Sequence, residues 1–89
     1  MDSTKTITFA EPITMGNKSV DEITLREPTV GEVDKAFRNG NGLSSVIVLI
    51  SLVSGTERAV IEKMPMTTFK EAAAFIEGFT KDGQETGES

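Results

Sequence analysis

Four serines, Ser44, Ser45, Ser51 and Ser54, sit on the most apolar stretch of this sequence. A serine hydroxyl becomes a useful nucleophile only when a neighbouring base takes its proton. The chain of 89 residues has no His and no Cys, so the commonest general base, the commonest transition-metal ligand and the commonest strong nucleophile are all missing. Serines on an apolar helix ordinarily pack and hydrogen-bond locally. Gly40, Gly42 and Gly55 make no phosphate loop, because no Gly-Lys-Ser/Thr follows and no parallel strand precedes them. Asp82-Gly83 lacks the alternating acidic ligands of a calcium loop. The residues point away from an enzyme, and no cofactor or metal is expected.

The chemistry that remains is apolar. Met64 and Met66 flank Pro65, and Phe69, Phe75 and Phe79 follow on what reads as one helix. Met is adaptable, and Met with Phe on adjoining helices can form a groove for a partner's amphipathic helix. These five residues are the candidate partner-binding set; the alternative is that they form a simple core. The net charge of -5, with nine basic residues scattered among acids, disfavours a nucleic-acid surface and leaves a basic partner possible. A small acidic chain with a serine at a helix start invites comparison with acyl carrier proteins, whose modified serine follows an acidic residue. Here Leu43 precedes Ser44, and a hairpin stands in place of the first helix.

The element around which these residues must be arranged runs from Leu43 to Gly55. From Val46 to Val53 only Ser51 interrupts the aliphatic residues, and Ser44 and Ser51 fall almost on one line of a helix. The run reads as a helix closed by Gly55, a buried strand being the alternative. A helix apolar nearly all round must be enclosed, within the chain or across a partner interface. The run is too short to span a bilayer, which takes about 20 apolar residues. Met1 to Lys5 carries no apolar block of the kind a secretory signal needs, and the absence of Cys fits a reducing compartment. The expectation is a soluble intracellular protein with no membrane partner.

Before that run, Thr6-Ile7-Thr8-Phe9 and Glu22-Ile23-Thr24-Leu25-Arg26 alternate polar and apolar as half-buried strands do, with Ile7, Phe9, Ile23 and Leu25 pointing inward. Met15 to Ser19 offers turn chemistry, so the pair reads as a β-hairpin, and Pro12 should lie at an edge or where the first strand bends. Pro28 ends the second strand. Thr29 and Glu32 have the spacing of a capping box, and Val30, Val33 and Phe37 form an i, i+3, i+7 stripe expected to be core. Asp34 and Arg38 can pair on the wet side. After Gly55, Thr56 is expected to cap a short helix through Met64. Thr68 and Glu71 make a second capping box for a helix to about Phe79, whose Phe69, Ala72, Ala73, Ile76 and Phe79 share one face with Phe75 to the side. The whole reads as an α+β fold: one small domain over residues 1–79, with a β-hairpin at 6–26, a bundle of about four helices within 29–79, and a disordered tail at 80–89 that has no apolar residue beyond Thr80.

At three places the sequence resembles the tail assembly chaperones of Mu-like and P2-like contractile-tailed bacteriophages. These are Glu22-Ile23-Thr24-Leu25-Arg26-Glu27-Pro28-Thr29-Val30-Gly31-Glu32, then Leu49-Ile50-Ser51-Leu52-Val53-Ser54-Gly55, then Phe69 to Phe79. Their order and spacing cover roughly Thr6 to Phe79. The resemblance implies an assembly factor of the host cell cytoplasm, absent from the mature virion, which binds and solubilises the tape measure protein until tail-tube subunits polymerise around it. Members of the family are often made in two forms, and the resemblance implies that a longer, frameshifted form brings in the tail-tube protein. Self-association is expected, since several copies would coat one long client. A structural or adaptor subunit of the tail, self-assembling through the same apolar helices, is the alternative. The family brings no catalytic or metal residues.

Overall fold

The computed structural model of the chain describes residues 4–88, with side chains through residue 80; residues 1–3 and 89 and the side chains of 81–88 lie outside the described residues. Two strands, β1 (Lys5–Met15) and β2 (Lys18–Leu25), precede four helices, α1 (Val30–Phe37), α2 (Leu43–Ser54), α3 (Arg58–Glu62) and α4 (Met66–Glu88). The expected hairpin followed by helices is the observed architecture. The expected tail over 80–89 falls, apart from Thr80, on residues whose side chains are not described.

The strands pair antiparallel, Lys5 to Thr8 against Leu25 to Glu22 and Ile13 to Met15 against Val20 to Lys18. Between these ladders Phe9 to Pro12 face Asp21 alone, a wide bulge that bends β1 at Pro12. Proline has no amide to donate to a ladder, so the bend falls where pairing is already lost. The turn needs positive φ at Gly16 only, at 60°. Ile7, Phe9, Ile13, Ile23 and Leu25 are all buried on one face of the hairpin. Two strands alone are marginal. Here that face leans on α2 through β2 and on α3 and α4 through β1.

The link from hairpin to helices is a chain of polar contacts around one carboxylate. Thr29 Oγ1 accepts from the Glu32 amide at 3.1 Å, and the Thr29 amide donates to Glu32 Oε1 at 2.9 Å, completing the expected capping box. Arg26, at the end of the hairpin, donates to both Glu32 oxygens, at 2.9 and 2.6 Å. The Arg26 guanidinium and then the Thr29 amide hold the Glu32 carboxyl down at about 2, and the same hydrogen bond raises Arg26. Glu32 thus caps α1 and fastens it to the strand before it.

The Leu43–Gly55 run is a helix. Gly55 closes it at φ 65° and ψ 26°, with its amide and that of Thr56 both returning to the Ser51 carbonyl. Leu49, Ile50 and Val53 are buried, and Ser45 is buried with its hydroxyl donating to the Gly40 carbonyl at 2.8 Å. α1, α3, α4 and β2 all touch α2. Val46, Ile47, Val48 and Leu52 are half-buried, Ser44 is exposed, and Ser51 is half-buried with its hydroxyl donating to the Thr56 carbonyl.

Two helix starts differ from the sequence expectation. α3 begins at Arg58, with Glu57 at its cap and Thr56 bonded back to Ser54, because Thr56 is held in the closing turn of α2. α4 begins at Met66, directly after Pro65, whose carbonyl accepts the Phe69 amide at 2.9 Å. Thr68 and Glu71 therefore lie inside the helix, and Glu71 pairs instead with Lys5 of β1 at 3.4 Å.

Candidate partner-binding surface

The apolar stripe of α1 does not fill the core. Val30 is 88% exposed, Val33 and Phe37 are half-buried, and Ala36 is the α1 residue that is buried. An eight-residue helix capped at Thr29 and tied through Glu32 to Arg26 has its rotation fixed at its first turn. It leans on α2 by the Ala36 side, which leaves the Val30 edge outward.

That edge faces the far part of α4 across a groove. Pro28, Val30 and Val33 line one wall, Phe79 and Thr80 the other, around a volume of about 440 Å³. The depression continues along α1 past Phe37 to Asn41 as a further volume of about 320 Å³ sharing Val33 and Thr80. Phe75 stands one helical turn before Phe79, and the two rings meet edge to face, centroids 5.3 Å apart at 81°. Phe75 rests on the core and backs Phe79, which lines the groove. The charged residues lining the groove, Glu27 and Asp34, are both acidic. Asp34 is paired outward with Arg38 at 2.7 Å, whereas Glu27 has no ion-pair partner among the described residues.

The five residues singled out from the sequence are not brought together. Met64 and Phe69, each 7% exposed, belong to the core, because the short turn at Pro65 folds α3 back and directs both inward. Met66 is 54% exposed but lies at the start of α4, roughly 20 Å along the helix from Phe79 and on the opposite flank of its buried stripe. Phe75 and Phe79 remain at the groove. Val30, Val33 and Phe37 were missed because a three-residue stripe looks the same whether it faces a core or a cleft. The one available signal was the brevity of α1, which offers its partners only two turns.

A larger depression of about 610 Å³ lies on the other side, between the β1 bulge and the α3–α4 junction. Its lining mixes Phe9, Ala10, Pro12, Ile13 and Pro65 with three threonines and with Glu11 and Lys63, charges of opposite sign. Among the described residues no group of acids is placed to hold a metal ion, and no helix is long and apolar enough to cross a membrane.

The sequence profile of the phage tail assembly chaperone proteins, E, or 41 or 14, matches residues 6–81. The chain belongs to the phage tail assembly chaperones. The match takes in the hairpin, the capped entry to α1, the apolar α2 and both walls of the groove. Neither the curated proteins nor the solved structures give a match. A chaperone of tail assembly acts by contact with other tail proteins.

Proposed function

We propose that this chaperone binds and solubilises the tape measure protein during tail assembly, seating apolar stripes of that long helical client in the groove between α1 and α4. The observation that supports this reading is an exposed apolar knob, Val30, beside a cleft lined by Val33 and Phe79. Val30, Val33, Phe75 and Phe79 make the contact, and Met66 adds adaptable apolar surface at the other end of α4. Met64 and Phe69 support the surface from within. The acidic exterior keeps the loaded complex soluble. Each contact is small and weak, so several copies act together along one client and give way when tube subunits arrive. The site of action is the host cell cytoplasm, and the mature virion lacks the protein.

Co-expression with the tape measure protein of the same genome tests this. Soluble, stoichiometric complexes that are lost on Phe79→Asp are expected. A client that precipitates regardless, while this chain co-purifies with assembled tails, refutes the reading in favour of a structural or adaptor subunit. The half-exposed aliphatics of α2, Ile47, Val48 and Leu52, with Leu43 at 57% exposure, are the observation that favours that second reading.

A further inference from the structure

We infer that the α1–α4 groove selects a basic amphipathic helix, one whose apolar stripe is bordered by Lys or Arg residues. This rests on the reading of the groove as the client site, and adds the chemistry by which a client is recognised. The groove is apolar along Val30, Val33 and Phe79, yet among the described residues both charged groups that line it are carboxylates. Glu27 lies before the extended cap of α1 and Asp34 within the helix, so the two stand at different points along the groove. Basic side chains flanking the apolar stripe of a docked helix reach toward these carboxylates, while the stripe itself enters the groove.

Intramolecular pairing leaves this charge pattern uncompensated at one end. Arg26 is committed to Glu32, and Arg38 to Asp34 on its outer side. Glu27 lines the cleft with no ion-pair partner among the described residues, within a chain of net charge -5. An acidic or neutral stripe gains nothing there, and an acidic one is repelled. A second copy is disfavoured for the same reason, since the groove it would present is lined by acids as well.

The test uses the full chain and two labelled peptides of about 20 residues, long enough to become helical when docked. Both carry Leu at i, i+3, i+4 and i+7; one has Lys at the flanking positions i+1 and i+8, the other Glu. The Lys peptide is expected to bind about tenfold tighter at low salt, with the difference shrinking as salt rises, and Glu27→Lys is expected to abolish the preference. Equal binding of both peptides overturns the charge inference and leaves the groove reading standing. Binding of neither overturns both. Sedimentation of the free chain as a dimer that Val30→Asp dissociates overturns the inference in favour of a second copy as the occupant.

Discussion

Val30→Ser separates binding from folding. The Val30 side chain is 88% exposed and is the first residue of α1, where Ser and Val have similar helix propensity. Nothing buried is removed, so stability should change by no more than about 0.5 kcal/mol, which in a chain of 89 residues moves Tm by less than about 4 °C. Binding is different. Nearly all of the Val30 side chain is available to a partner, and burying it contributes about 1.5 kcal/mol, so its loss should weaken the complex by about tenfold. The assay is fluorescence anisotropy with the Lys peptide, run beside a thermal melt. Ile50→Ala is the contrast, because Ile50 is fully buried on α2 and its truncation should cost about 2–5 kcal/mol. Unchanged affinity in Val30→Ser refutes the groove as the binding site. A collapse of stability comparable to that of Ile50→Ala refutes the placement of Val30 on the surface.

The edge-to-face contact of Phe75 and Phe79 should appear as a coupling of about 0.5–1.5 kcal/mol in a double-mutant cycle of melts, and additive single variants would show that the rings act separately. Glu32 is held at about 2 in the folded chain against an ordinary 4.5, so the stabilisation it supplies is complete above about pH 4.5 and is lost as pH falls toward 2. Glu32→Gln should flatten the stability-against-pH curve in that window, and an unaltered acid slope would remove the Arg26–Glu32 pair as its cause. Ser54 Oγ is buried and has no hydrogen-bond partner among the described residues, so Ser54→Ala should raise stability by about 1 kcal/mol; a lower Tm would mean the hydroxyl is satisfied in solution.

Local signals determined most of the architecture. The hairpin followed from period-2 alternation at Ile7, Phe9, Ile23 and Leu25, because a strand with one wet face must alternate. The Thr29–Glu32 box and the Gly55 closure are contacts within one turn of chain, so their spacing suffices to specify them. α2 was legible as a helix from its aliphatic density and closing glycine. The Thr68–Glu71 pair shows the limit of such reading: the same spacing forms no cap, because Pro65 starts the helix earlier and Lys5, distant in sequence, claims Glu71.

Which apolar residues stay outside was decided by tertiary structure. Apolar periodicity records which residues share a face and is silent on what the face meets. Val30, Val33 and Phe37 spelled a core stripe, and Met64 and Phe69 a partner-binding face or a simple core. In the fold Val33 and Phe37 pack half-buried against the core while Val30 stands outside, because the Arg26–Glu32 tie fixes the rotation of α1, and the turn at Pro65 directs Met64 and Phe69 inward. By itself the sequence determined the elements, the absence of His and Cys chemistry, and the excess of apolar residues. The packing of a two-turn helix on α2, with its first turn tied to Arg26, determined which of those residues stayed outside, and so where this chaperone offers a groove.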